Sequence, residues 1–208
     1  MKRKALDLCC KAGGATKGLQ QAEYYVVGVD INRQPNYCGD WFIQGDALEI
    51  DWTGYDLIWA SPPCQRYSVL TPVDRKENHP DSLPIFLDRL RNQSTPYIVE
   101  NVNGTQHMMK DPVFLCGTMF GLNIWRHRWF EIGNSNVFFL LPPCNHDGHP
   151  VLISGRGMLH KRGKRAMEPP TAVRADAIGI NWMTGKELDE AIPPVYSKFL
   201  AEQIDLWR

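Results

Sequence analysis

The chain has 208 residues, 43% apolar and 22% charged, with 23 basic against 23 acidic side chains. This is the make-up of an ordinary globular protein large enough for one sizeable core, and a single domain spanning 1–208 is expected. No run of about eighteen apolar residues exists, which excludes a membrane-spanning helix, and a net charge of zero gives no general affinity for polyanions.

The N-terminal "MKRKALDLCC" lacks a long apolar core and a small-residue cleavage site, so it is expected to open the fold and not to act as a signal peptide. It continues into a buried strand, "KALDLCC" (4–10), which would set Cys9 and Cys10 on opposite faces. "ATKGLQQA" (15–22) follows as a short helix after a glycine turn. "YYVVGVD" (24–30), "WFIQGD" (41–46), "YDLIWAS" (55–61) and "YIVENV" (97–102) are further strands, rich in aromatic and β-branched residues. The connection "INRQPNYCGD" carries a weak helix at most. In "DSLPIFLDRLRNQ" (81–93), Leu83, Phe86, Leu87 and Leu90 recur at helical spacing. Strand–helix alternation of this kind predicts an α/β fold, a parallel sheet covered by helices.

The second half is less regular. "HRWFEI" and "VFFLL" are expected to pair as antiparallel strands across "GNSN", and 142–170 reads as loop. "TGKE" (184–187) matches a capping box with Thr184 as N-cap. "PPVYSKFLAEQIDLW" (193–207) then starts a helix on prolines. Between Gly155 and Arg174 lie Arg156, Lys161, Arg162, Lys164, Arg165 and Arg174, opposed only by Glu168. A neutral protein therefore carries one local basic segment.

Strand ends carry the chemistry in open α/β sheets. After the first strand, Gly13 and Gly14 would let the chain turn tightly against a ligand at a helix N-terminus. The second strand ends in Asp30, whose carboxylate suits a ribose diol, and the third in Asp46, an acceptor for an adenine amino group. Each acid alone is more often a solvated cap than a ligand; three such ends in consecutive order favour a nucleoside-type cofactor. The fourth strand ends in Pro62-Pro63-Cys64-Gln65 and the fifth in Glu100-Asn101-Val102. Two prolines hold the thiol in a rigid turn, and a doubly wound sheet would bring it beside the carboxyl. Arg126 and Arg128 would add cations to the same cleft.

Taken in order, "LDLCCKAGG", "GVDI", "GDAL", "SPPCQRYS", "ENV", "RHRWFE" and "AIPP" resemble the motifs of the DNA (cytosine-5) methyltransferases, and most of all the small phage- or prophage-type members. The resemblance runs over about residues 4–206. It implies a Rossmann-like sheet with helices on both faces and a short irregular insert, S-adenosylmethionine as cofactor, double-stranded DNA as partner, a monomer, and a cytoplasmic location, that of the bacterial host if the chain is phage-encoded. Cys64 would be the nucleophile and Glu100 the group at N3 of a flipped-out base. Asn101 would support that loop, Arg128 with Arg126 would contact base or intermediate, and Gln65 and Ser68 would shape the turn. The cofactor residues would be Asp7, Cys9, Ala12, Gly13, Gly14, Asp30, Ile31, Asp46, Ala47, Pro63, Ala191 and Ile192. A short basic insert, 131–175, would read DNA through Arg156, Lys161, Arg162, Lys164 and Arg165, with Arg66 in the loop after Cys64. So small a reader implies a short target site.

The chain departs from the family pattern at four places. Cys9 replaces an aromatic residue, Lys11 the first glycine of the turn, and Asp189-Glu190 a Gly-Asn pair; the recognition insert is reduced. Two other functions therefore stay open: the same chemistry on RNA or a free cytidine nucleotide, and a DNA-binding protein without turnover.

The six cysteines, Cys9, Cys10, Cys38, Cys64, Cys116 and Cys144, read as reduced thiols of a cytosolic protein. "PPCNHDGH" offers Cys144, His146 and His149, with Cys116 and His127 elsewhere. Zinc accepts four such ligands, but the spacing matches no strong zinc pattern, and no metal is expected.

Overall fold

The computed structural model describes residues 2–137, 139–153 and 169–206. Its strands are β1 (Lys4–Leu8), β2 (Tyr25–Asp30), β3 (Trp41–Gln44), β4 (Leu57–Ala60), β5 (Tyr97–Asn101), β6 (Val113–Leu115) and β7 (Arg128–Gly133). The helices are α1 (Gly14–Gln21), α2 (Leu83–Arg91), α3 (Thr171–Ile178), α4 (Gly185–Glu190) and α5 (Pro194–Leu206). The strands form one sheet in the order β3-β2-β1-β4-β5-β7-β6. β1 to β5 are parallel, and β7 enters antiparallel between β5 and β6.

The central strands are covered on both faces, which is why they read as continuous apolar runs. Successive side chains still divide between two cores. Leu6, Leu8, Val27, Val29, Ile58 and Ala60 face α2, whose Leu83, Phe86, Leu87 and Leu90 are at most 2% exposed. Ala5, Val26, Leu57 and Trp59 face α1 and α5, where Leu19 joins Tyr196, Leu200 and Ile204. Each such large side chain contributes about 1.5–3 kcal/mol by leaving water. The result is an α/β, Rossmann-like sheet with helices on both faces, as the alternation of elements predicts.

α1 and α5 approach closely because α1 carries Gly18. A Cβ there would sit 1.9 Å from the Pro194 carbonyl oxygen and 2.1 Å from Ser197 Oγ. That hydroxyl donates to the Ala15 carbonyl at 2.8 Å. Gly18→Ala should destabilise the protein by about 3 kcal/mol, because the obstruction is backbone and cannot rotate away. A lowered urea midpoint with an unchanged slope is the expected reading.

A buried acid fixes the antiparallel strand. Glu131 accepts from Arg91 Nε at 2.8 Å and Nη2 at 2.6 Å, from Tyr97 OH at 2.7 Å and from the Lys110 amide at 2.7 Å. Burial pushes its pKa up, but these hydrogen bonds outweigh it and leave the carboxyl below its ordinary value.

Several expectations are corrected. β1 stops at Leu8, because Cys9 (φ 60°) and Lys11 (φ 50°) take left-handed backbone conformations; Cys9 and Cys10 lie in the turn and do not alternate along a strand. "VFFLL" is not the partner of β7, whose two edges are taken by β5 and β6. Neither β6 nor α3 was anticipated. Arg174 does not belong to an exposed basic segment: it is 3% exposed, pairs with Asp189 and donates to the Gly185 carbonyl at 2.8 Å, which locks α3 to α4. Arg156, Lys161, Arg162, Lys164 and Arg165 lie outside the described residues. Among the described residues no helix is long and apolar enough to cross a membrane.

Candidate active site

β1 sits between β2 and β4, so the chain winds outward in both directions from the crevice beyond its carboxyl end. Ligands of open α/β sheets bind at such a crevice. The turns after β1, β4 and β5 all open there.

The turn after β4 is held from its neighbour. Asn101, wholly buried at the end of β5, donates from Nδ2 to the Pro62 carbonyl at 3.2 Å, and its Oδ1 accepts from the Val102 amide at 2.9 Å. Prolines contribute no amide donors, so this side chain joins two strand ends that the backbone leaves unlinked. The Cys64 carbonyl then accepts from the amides of Tyr67 at 3.0 Å and Ser68 at 2.9 Å. Ser68 Oγ accepts from the Leu70 amide at 3.1 Å. Gln65 and Pro63 are half-buried beside it.

Glu100 is 5% exposed and meets Arg128 Nε at 2.7 Å across the β5–β7 pairing. Burial pushes the Glu100 pKa up; Arg128, Arg126 and a hydrogen bond involving Ser61 pull it back without cancelling the rise. Cys64 feels the same groups. Burial and then Glu100 raise its pKa, and Arg128 lowers it by less. Arg128 favours the thiolate, as a nearby cation does, but by less than burial opposes it. The net direction is upward, toward the protonated thiol. The paired influences place Cys64, Glu100 and Arg128 in one neighbourhood.

Arg126 has a different position. It is buried, donates from Nη2 to the Asp189 carbonyl at 2.8 Å, and its own carbonyl accepts from Tyr196 OH at 2.6 Å. Burial and the adjacent Arg128 charge lower its pKa to about 9. It ties the end of α4 and the start of α5 to the strand that carries Arg128.

On the β1 side, Asp30 Oδ1 accepts from the Asn32 amide at 3.0 Å and Oδ2 from the Lys11 amide at 3.1 Å, so each oxygen keeps a lone pair. Ile31 beside it is exposed, Asp46 is exposed, and Ala47 is buried. Asp7 is wholly buried; Oδ2 accepts from Thr16 Oγ1, while Oδ1 has no hydrogen-bond partner among the described residues. Burial raises its pKa to about 7. Burial, with the charges of Asp30 and Asp7, pushes Cys9 up to about 12. Gly13 is left-handed at φ 88°, and a Cβ on Gly14 would lie 2.5 Å from the Ile192 carbonyl. The glycine turn thus seats Ile192 directly, in the segment before α5.

Three contributors carry no assigned role in the sequence reading. Trp182 Nε1 donates to the Ala12 carbonyl at 2.9 Å and fixes the glycine turn. Ser61 stands just before the prolines and accepts from Trp59 Nε1 at 2.8 Å; its place next to the motif was the available signal. Glu190 pairs with Lys11 at 3.5 Å. Two departures from the family pattern are thus partners, and Lys11 is turned toward the terminal segment.

In the loop after Cys64, Arg66 pairs with Asp81 at 3.4 Å. The same loop displays Val69, Leu70 and Val73, all strongly exposed.

No family model matches the chain, and no curated protein matches it in sequence. Solved structures do. A prophage-encoded Escherichia coli protein, named as a DNA modification methyltransferase, superimposes with a TM-score of 0.53 at 18% identity over 73% of this chain and 53% of its own. The Entamoeba histolytica methyltransferase EhMeth gives 0.61 at 13% identity, over 100% of both chains. The fold is the methyltransferase fold. At such identities the likeness extends to architecture alone, and the chain spans about half the length of the E. coli protein. Within the methyltransferase fold, the Cys64 turn, Glu100 and the Asp30 strand end all open on the crevice beyond the parallel strands.

Proposed function

We propose that this protein transfers a methyl group from S-adenosylmethionine to C5 of cytosine in double-stranded DNA, through a transient Cys64–C6 bond on a flipped-out base. The observation that carries this reading is the convergence of a rigidly held thiol, a buried acid and an arginine at the ends of neighbouring strands.

The cofactor end suits the group. Asp30 and Asp46 stand close enough to Cys9 to shift it, acidic side chains that suit a cationic sulfonium and ammonium. The open lone pairs of Asp30 suit two ribose hydroxyls, and exposed Ile31 offers an apolar surface to the adenine. When bound, S-adenosylmethionine supplies an electrophilic methyl group.

The remaining chemistry belongs to the side chains. C5 of cytosine is a poor nucleophile while the ring is aromatic. The Cys64 thiolate adds to C6, forming the S–C6 bond as the ring π-electrons move toward N3, where Glu100 delivers its proton. C5 of the resulting enamine would then bond to the methyl carbon as the methyl–sulfonium bond breaks, its electron pair staying on sulfur and the neutral thioether S-adenosylhomocysteine leaving. Loss of the C5 proton to a base, return of the N3 proton to Glu100 and departure of Cys64 as the thiolate restore the aromatic ring. Arg128 holds Glu100 in place and offsets charge near the sulfur. Because C5 and C6 lie inside the base stack of a duplex, the nucleotide must leave it. The loop after Cys64, with Val69, Leu70 and Val73 exposed, would close over the site. The basic insert would add phosphate contacts.

The experiment offers labelled S-adenosylmethionine with duplex DNA, RNA and dCMP. Label in DNA, located at C5 of cytosine, is expected. Label in RNA or dCMP alone would move the substrate, and label in none would leave a binding protein without turnover.

A further inference from the structure

The fold gathers four side chains that stand far apart in the sequence. Cys116 directly follows β6, His127 directly precedes β7, and Cys144 and His146 lie in the loop beyond β7. One ligand atom from each falls within 4.8 Å of all the others. His149 is exposed and outside the group. We propose that Cys116, His127, Cys144 and His146 form a structural zinc site. It does not depend on the methyl-transfer reading.

The donor set is two thiols and two imidazoles, the last two presenting Nε2, which is a common ligand set for closed, four-coordinate zinc. Tetrahedral zinc, with Zn–S of about 2.3 Å and Zn–N of about 2.0–2.1 Å, requires ligand–ligand separations of about 3.3–3.8 Å. Cys116 Sγ lies 3.5 Å from His146 Nε2, and Cys144 Sγ lies 3.7 Å from His127 Nε2. The two shorter separations, 2.8 Å from His146 Nε2 to Cys144 Sγ and 2.9 Å to His127 Nε2, share His146. That residue is the exposed one, so a shift of its ring by under about 1 Å relieves both, and the separations of Cys116 from Cys144 and His127, within 4.8 Å, would settle to the tetrahedral value around the ion. Zinc would displace the two thiol protons to solvent, leaving two thiolates, two neutral imidazoles and a site of zero net charge.

The surroundings are those of a built site. Thr118 Oγ1 stands 3.3 Å from Cys116 Sγ and 3.7 Å from Cys144 Sγ, a hydroxyl aimed at both sulfurs, and it accepts from the Asn145 amide at 3.2 Å. Trp125 stacks on His146 with centroids 4.5 Å apart, and Phe114 meets His127 edge-on at 4.9 Å. Gly117 permits the close approach, since a Cβ there would lie 2.6 Å from the Ile124 carbonyl. These contacts restrict ring rotation, as partners outside a ligand set do.

The site also has a structural task. Between β7 and α3 the described residues contain no helix or strand. The segment returns to the body of the protein through Ile153, which packs with Ile124 and Ile178, and through the Val151 amide, 2.8 Å from the Asn123 carbonyl. Zinc would pin its earlier part to the sheet edge. Because His127 lies between Arg126 and Arg128, it would also fix the start of the strand that faces Glu100.

The test uses the full chain, refolded with zinc, dialysed, and read by elemental analysis. About one zinc per chain is expected, and cobalt in its place should give the intense visible bands and thiolate charge-transfer absorption of tetrahedral Co²⁺. Cys144→Ser and His127→Ala should each lose most of the bound metal, Cys38→Ser should keep it, and Thr118→Val should weaken it about 10–100-fold. If the ligand variants fail to fold, zinc content and the cobalt spectrum of the parent and of Cys38→Ser decide. A chain left metal-free, a cobalt spectrum without tetrahedral bands, or full zinc content in folded Cys144→Ser overturns the assignment.

Discussion

Cys64→Ala should lower kcat for methyl transfer by on the order of 10⁴-fold or more, with little change in stability or in affinity for S-adenosylmethionine. The size follows from what the sulfur does. Without a bond to C6, the cytosine ring keeps its aromaticity, and C5 has no enamine character with which to attack. Among the described residues nothing else at the crevice replaces this. Glu100 is an acid, Arg128 a permanent cation, and Cys9, pushed up to about 12, is held protonated on the cofactor side. The turn itself should survive, because it is held by Asn101 Nδ2 on Pro62 at 3.2 Å and by the Cys64 carbonyl, not by the thiol. A second readout separates lost chemistry from lost binding. Duplex DNA carrying 5-fluorocytosine blocks the last proton removal, because the departing hydrogen is replaced by fluorine. The parent protein should then remain joined to the DNA under denaturing conditions, and Cys64→Ala should not. Activity within tenfold of the parent in Cys64→Ala would remove covalent catalysis from the mechanism.

Some of this structure was legible in the sequence, for definite reasons. β1, β2, β4 and β5 are covered on both faces, so each shows as an unbroken apolar run. α2 has one buried stripe, and Leu83, Phe86, Leu87 and Leu90 mark it at the helical period. Thr184 and Glu187 form the capping box they spell out, with the Thr184 amide 2.7 Å from Glu187 Oε2. These signals are local. What stayed hidden depends on neighbours distant in the chain. β6 is only three residues long, VFL, and its pairing with β7 displaces a more apolar segment that offered itself. Arg174 reads as one more cation in a basic run until Asp189 and the Gly185 carbonyl are placed against it. The ionisation of Cys64 could not be read from residue type, because it depends on whether burial or Arg128 is the larger influence. The Cys116, His127, Cys144 and His146 group belongs to the same class. Its members arrive from a strand end, a strand start and a loop, and no spacing rule joins them before the sheet edge is assembled.

Glu100→Gln should lower kcat by about 10²–10³-fold and change the shape of the pH profile, and the two effects together identify the acid. Transfer requires a deprotonated Cys64 and a protonated Glu100 at once. Burial raises both pKa values, but the carboxyl starts near 4.5 and the thiol near 9.0. The reactive pair is therefore a one-proton form in which the proton sits on the weaker base, a minor tautomer of the thiol–carboxylate state. Its population rises as pH passes the lower macroscopic pKa of the pair and falls as pH passes the upper one, which gives a bell in kcat/KM. Glutamine removes one titration. The remaining profile should only rise, following the thiol. It should also rise at lower pH than the alkaline limb of the parent, because the Glu100 charge that raises the Cys64 pKa is gone. Arg128→Met has the opposite sign. It removes the cation that lowers both groups, so both limbs should move to higher pH. Alkylation of Cys64 by iodoacetamide, followed peptide by peptide, measures the thiol directly and without turnover. A bell that persists in Glu100→Gln would assign the acidic limb to another group and leave N3 without its proton donor.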